Sequence, residues 1–151
     1  KNLLAFAIGT GMRRGEILRL DWSDIDLDYG IIHVHVSKSG SSRDIPILSS
    51  LKSVLLSMNP QASGRVFPLS EKQVEYDFKT ARNKAGINGL HFHDLRHTFA
   101  SHFMMSGGLL STLQLMLGHS DIRMTQRYAH FSPTYLQQAI KGVDNLIPQL
   151  S

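Results

Sequence analysis

His93-Asp94-Leu95-Arg96 places an imidazole and a guanidinium three residues apart, so on a helix both fall on one face while Leu95 and Phe99 turn to another that can pack inward. A proton acceptor or donor then stands beside a planar fork of N–H groups that matches phosphate oxygens. Taken alone, the tetrapeptide is better explained by a surface arginine and a histidine satisfied near a helix start. It does not stand alone. Leu117-Gly118-His119-Ser120 brings a second imidazole 23 residues after Arg96, and Tyr128 follows nine residues after His119 in Gln126-Arg127-Tyr128-Ala129-His130.

This ordered set resembles the tyrosine site-specific recombinases of the phage integrase family. Their pattern runs arginine, a lysine on a β-hairpin, H-x-x-R, a histidine in an L-G-H segment, then tyrosine. The resemblance covers essentially the whole chain. Thr10-Gly11-Met12-Arg13-Arg14-Gly15-Glu16-Ile17 is similar to the first-arginine motif, which puts the catalytic arginine at Arg13, with Arg14 beside it. Ser37-Lys38-Ser39-Gly40 ahead of Arg43-Asp44-Ile45-Pro46 is similar to the hairpin motif and assigns its lysine to Lys38. His93 and Arg96 take the H-x-x-R places, His119 the later histidine and Tyr128 the nucleophile. All six positions carry the family's residue types. Tyr29, Tyr76 and Tyr135 are also phenols, and the choice of Tyr128 rests on the family's spacing and on its nearness to His119.

The roles that the resemblance implies make physical sense together. Attack on a phosphodiester gives a five-coordinate transition state with extra negative charge on the nonbridging oxygens. Arg13 and Arg96 would meet that charge with paired hydrogen bonds, and His119 would add a donor. A phenol with an ordinary pKa of about 10 needs a base or a cationic site to become a nucleophile at neutral pH, and His93 is the candidate base. Lys38 would protonate the departing 5′-oxygen. His97, four residues after His93, is expected to support it, and Glu16, three after Arg13, to orient that guanidinium; both read as structural rather than catalytic.

The resemblance further implies a double-stranded DNA partner, a homotetramer on two duplexes, and chemistry with no cofactor, needing neither ATP nor metal. It places the protein with DNA in the cytoplasm of a bacterial or phage-infected cell. Residues 1–151 read as a single catalytic domain. The start at Lys1 on an apolar run, with the family's usual upstream helical clamp domain, leads to the expectation of a fragment of a longer protein. Leu136, Ala139, Ile140, Val143, Leu146 and Ile147 recur at three and four residues, an apolar stripe that either closes its own core or packs on a neighbouring protomer.

Rival readings use the same residues. His93-Asp94-Leu95-Arg96-His97 differs by one carboxylate from the H-E-x-x-H zinc motif, but an arginine on the ligand face repels a dication and no clear third ligand follows. A non-catalytic DNA-binding module would need only cations such as Lys79, Arg82, Lys84, Arg123 and Arg127 against the backbone. Type IB topoisomerases share the chemistry but match this compact spacing less well. Gly9-Thr10-Gly11 lacks the Gly-Lys-Ser/Thr ending of a phosphate-binding P-loop.

The elements that must position these groups are visible as patterns. Residues 3 to 20 read as two helical pieces broken at Gly9-Thr10-Gly11. Asp21 to Gly30 reads as turns. Ile31 to Val36 and Arg43 to Ile47 read as paired strands around a Ser/Gly loop, with Pro46 marking a sheet edge. Ser49 or Ser50 is expected to cap a helix to about Met58, and Ser70 another to about Gly86. From Asp94 onward helix follows helix, punctuated by Gly107-Gly108, Gly118 and Pro133. The fold class is therefore mainly α with a small antiparallel sheet (α+β), the class of the tyrosine-recombinase catalytic domain.

Bulk properties fit without deciding. The chain is long enough to bury one core. A net charge of +4 and a pI near 9.6 favour an anionic partner only modestly. The absence of cysteine removes disulfides, thiolate metal sites and a cysteine nucleophile, and is compatible with the cytoplasm. No run approaches the length of a membrane span, and no charged-then-apolar leader opens the chain.

Overall fold

A computed structural model describes residues 1–35, 42–132 and 137. The first helix, α1 (Asn2–Thr10), stops at Gly11, whose left-handed backbone (φ 63°) turns the chain while its N–H caps the Ala7 carbonyl. A Cβ at Gly11 would collide with the Phe99 ring, so glycine is needed there both for its conformation and for the close approach of a later helix. The break lies at Gly11–Arg13. Gly9 and Thr10 remain helical, the Thr10 hydroxyl donating to the Phe6 carbonyl at 2.7 Å. Arg13 then caps α2 (Arg14–Arg19), and its N–H donates to the Glu16 carboxylate at 2.8 Å.

Three antiparallel strands follow in the order β1 (Ile25–Asp26), β2 (Ile31–Val34) and β3 (Arg43–Pro46). Ile32 pairs with Ile45 and Val34 with Arg43, which turns Ile32, Val34 and Ile45 into the core and leaves His33 and Asp44 paired outside. Pro46 lies on an edge strand, as its missing N–H requires. The expectation of turns alone from Asp21 to Gly30 misses β1: two residues carry no periodicity to read. The loop between β2 and β3, with Lys38 and the expected strand end at Val36, falls outside the described residues.

Helix α3 (Ser49–Ser57) is capped by Leu48 without a side-chain bond, so the expected serine cap is wrong, and Ser49 is the first helical residue instead. Ser70 does cap α4 (Glu71–Lys84), accepting from the Gln73 N–H at 3.2 Å. The remaining helices are α5 (Asp94–Met105), α6 (Leu110–Leu117) and the short α7 (Arg123–Gln126), then a 3-10 turn at Ala129–Phe131. None of the helices described is long and apolar enough to cross a membrane. The protein is mostly helical with one small antiparallel sheet, as the sequence pattern predicts.

Two apolar clusters hold these elements. The larger joins α1, α2, the sheet and α3 through Phe6, Ile17, Ile32, Ile45 and Leu55, all fully buried. The second joins α5, α6 and the turn after α7 through Ala100, Met104, Leu113 and Leu117, and it includes Tyr128. Full burial of one such side chain contributes about 1.5–3 kcal/mol. The polar site described next lies along the seam between the two clusters.

Candidate active site

Arg96, 4% exposed, is the centre of that seam. Its Nη1 donates to the Gly11 carbonyl at 2.8 Å and its Nη2 to the Leu117 carbonyl at 2.6 Å, tying the α1–α2 corner to the end of α6. Burial, reinforced by the nearby Arg13 charge, lowers its pKa to about 10, which still leaves it protonated at neutral pH. Arg13 reaches the same carbonyl of Leu117 at 3.5 Å and the Glu16 carboxylate at 3.2 Å.

Glu16 does more than orient Arg13. Arg43, at the start of β3, grips the same carboxylate with both terminal nitrogens, at 3.0 and 2.8 Å, and sends Nε to the Met116 carbonyl at 2.8 Å. Burial would raise the Glu16 pKa, but the hydrogen bonds from Arg43 and the Arg13 backbone hold it below the ordinary carboxylate value. Three guanidiniums therefore meet the last carbonyls of α6, where the helix dipole favours cations. Gly118 ends that helix with φ 62°, and a Cβ on it would stand 2.9 Å from Arg43 Nη1. Because Arg43 faces Val34 across the ladder, this anchorage fixes the base of the loop that carries Lys38. Lys38 itself lies outside the described residues.

His119 follows Gly118 and points Nδ1 at the Thr125 hydroxyl, 2.9 Å away. Burial first, then the Arg96, Arg13 and Arg43 charges, lowers its pKa to about 4, so the ring is neutral at pH 7. His93 caps α5 and stacks edge-to-face on His97, ring centroids 5.0 Å apart. Desolvation, with His97 and Arg96 close by, lowers the His93 pKa as well. Tyr128 is 5% exposed and its hydroxyl is hydrogen-bonded to His97 Nδ1. Burial raises the phenol pKa, against the pull of Arg127 and Arg96.

His93, Arg96, His97, His119, Arg123, Met124, Arg127 and Tyr128 line one cleft of about 380 Å³. The structure thus brings four of the six expected residues to one cleft, with Arg13 close enough to bond the same Leu117 carbonyl as Arg96. His97 packs against His93 as expected, and in addition its Nδ1 is hydrogen-bonded to the Tyr128 hydroxyl, a contact its spacing from His93 does not foretell. Arg43 and Thr125 were missed. Arg43 stands in the hairpin segment without a role of its own there, because its partners Glu16 and Met116 are brought near by folding, and Thr125 falls in no motif. Among the described residues no three His, Cys, Asp or Glu side chains gather to hold a metal ion, so the zinc arrangement lacks its third ligand there.

Comparison with known proteins agrees with this geometry. The model of the phage integrase family matches residues 1–134. A shufflon-specific DNA recombinase of Escherichia coli is 36% identical over 136 residues, 86% of this chain and 35% of that protein. The integrase of Haemophilus phage HP1 is 39% identical over 142 residues, 92% of this chain and 39% of that one. The chain thus spans well under half the length of these curated relatives. Among solved structures, the catalytic domain of bacteriophage HP1 integrase superposes with a TM-score of 0.74 at 38% identity, covering 93% of this chain and 79% of that one. Sequence order, fold and the shared cleft converge: the chain belongs to the phage integrase family.

Proposed function

We propose that this chain cuts and rejoins DNA strands in site-specific recombination, through a 3′-phosphotyrosyl intermediate formed by Tyr128. The observation that carries the reading is that the Tyr128 hydroxyl, hydrogen-bonded to an imidazole, lines the same cleft as the buried Arg96 and the neutral His119. Arg13 and Arg96 hold the nonbridging oxygens of the scissile phosphate, and His119 donates a further hydrogen bond. Tyr128 Oη bonds to phosphorus as its proton passes to His97 Nδ1, with His93 stacked behind that ring. The P–O5′ bond breaks, and Lys38 supplies the proton to the departing 5′-oxygen, by the family resemblance. The ester keeps the bond energy, so a 5′-hydroxyl of another strand reverses the step without ATP or a bound metal. Four copies act on two duplexes, and further domains of a longer protein complete the grip on DNA.

The test is incubation with a nicked attachment-site duplex in the presence of a chelator, followed by denaturing electrophoresis. An SDS-resistant protein–DNA band is expected, with the label mapping to Tyr128. Tyr128→Phe is expected to lose the band while keeping salt-sensitive DNA binding. Binding without any adduct would leave only a DNA-binding module, and an adduct surviving in Tyr128→Phe would move the nucleophile elsewhere.

A further inference from the structure

Thr125 belongs to none of the motifs, yet it is 0% exposed and touches the site from behind. Threonines in helices turn their hydroxyl to a carbonyl one turn back. Thr98 does so to Asp94 at 2.9 Å and Thr10 to Phe6 at 2.7 Å. Thr125 does not: its Oγ1 meets His119 Nδ1 at 2.9 Å. Its carbonyl accepts the Tyr128 N–H at 2.9 Å, so one buried residue is bonded to both the histidine and the nucleophile's backbone.

The direction of the hydroxyl bond follows from counting protons. A neutral imidazole has one N–H. Were that proton on Nδ1, the ring would donate to Oγ1, and the Thr125 hydroxyl proton would be buried with no other acceptor bonded to it among the described residues. Such an unmade bond is costly in a dry position. With the hydroxyl donating to a bare Nδ1, both groups are satisfied and the ring's proton sits on Nε2. That nitrogen belongs to a side chain lining the cleft and is not engaged by Thr125.

We propose that Thr125 is a positioning residue that fixes His119 as the Nε2–H tautomer, so that a neutral ring always presents an N–H to a phosphate oxygen in the cleft. The need is physical. Burial first, then the Arg96, Arg13 and Arg43 charges, disfavour a doubly protonated ring, so His119 cannot guarantee a donor by charging and must hold its single proton on the correct side. The phosphate destination rests on the function proposed above; the tautomer does not.

Nitrogen-15 correlation spectra of the labelled protein at pH 7.5, without DNA, read which ring nitrogen of His119 is protonated. The Nε2–H form is expected in the wild type and in Thr125→Ser, and a mixture of both forms in Thr125→Val, which keeps the shape but not the hydroxyl. On the nicked duplex, single-turnover adduct formation is expected to fall about tenfold in Thr125→Val and to return to within about threefold in Thr125→Ser. An Nδ1–H ring in the wild type overturns the proposal, and that spectrum decides even if the valine variant does not fold. It is overturned equally by a valine variant that keeps the Nε2–H form, or by one that shifts tautomer and forms adduct at the wild-type rate. Should no protein form adduct, the recombinase reading fails while the tautomer is still judged by the spectrum.

Discussion

Arg43→Met removes one cation from the seam and keeps the length of the apolar stem. The Arg43 and Glu16 side chains are 7% and 9% exposed, so this is a buried pair and not a surface contact. The substitution deletes two bonds to Glu16, at 3.0 and 2.8 Å, and one to the Met116 carbonyl at 2.8 Å. Glu16 keeps the Arg13 N–H at 2.8 Å and its Nη1 at 3.2 Å, so the carboxylate is weakened in its pairing and not stranded. Breaking a buried pair costs about 3–5 kcal/mol, and the retained partners put this case near the lower end, about 3 kcal/mol. For a domain of this size that is a fall in Tm of about 6–12 °C. Typical stability of about 5–15 kcal/mol leaves the variant folded at room temperature. Thermal and urea denaturation followed by circular dichroism measure it. Glu16→Gln is also destabilising, because it leaves Arg13 and Arg43 without their carboxylate, and the double variant is expected to cost less than the sum by about 1 kcal/mol or more. A Tm for Arg43→Met within about 2 °C of wild type, or strictly additive losses, would refute the claim that this pair holds the site together.

Two further outcomes follow from the imidazoles. His97→Gln is expected to slow adduct formation about 10²-fold by removing the acceptor on the Tyr128 hydroxyl, with DNA binding retained; wild-type rates in single-turnover assays would show that the bond is a resting contact and would return the base role to His93. The His119 pKa, lowered from 6.5 to about 4 by burial and the Arg96 charge, means that between those values the unfolded chain takes a proton that the folded chain refuses. Stability is therefore complete above pH 6.5 and falls as pH drops toward 4, by on the order of 2 kcal/mol after allowance for solvent around a part-exposed ring. Urea midpoints across that range are expected to fall more steeply in wild type than in His119→Gln, and equal slopes would count against the buried, neutral ring.

What the sequence makes legible here is whatever is local. The capping serine at Ser70, the glycine stop at Gly118 and the paired strands around residues 31 to 47 each follow from a few adjacent residues, and the structure contains them. The first-arginine, H-x-x-R and L-G-H segments are equally local, so their helices and corners are legible while the distances between them are not. Arg43 was legible only as a strand residue. Its partners lie 27 and 73 positions away in Glu16 and Met116, and nothing in a strand pattern reports which guanidinium will fold inward. The bond from His97 to Tyr128 is not legible for a related reason. Helical spacing relates His97 to His93 four residues back, whereas its decisive neighbour, Tyr128, is 31 positions on and enters from another element.

The seam also explains why the site is built at a helix end. Arg13, Arg43 and Arg96 converge on the Met116 and Leu117 carbonyls, and Glu16 is the carboxylate bonded to Arg13 and Arg43, while Arg96 is held by backbone carbonyls. Three like charges around one carboxylate repel one another, and the pKa of Arg96 is lowered first by its burial and then by the Arg13 charge. The carbonyls offset part of that repulsion through the helix dipole, and the two apolar clusters supply the rest by burial. The folded chain therefore holds an excess of positive potential in a place where water is scarce. Donors fixed in advance in this way need no reorganisation when negative charge develops beside them, which makes them worth more than the same donors in solvent. Under the proposed function, this positive potential is what a phosphodiester, gaining charge as it is attacked, would relieve.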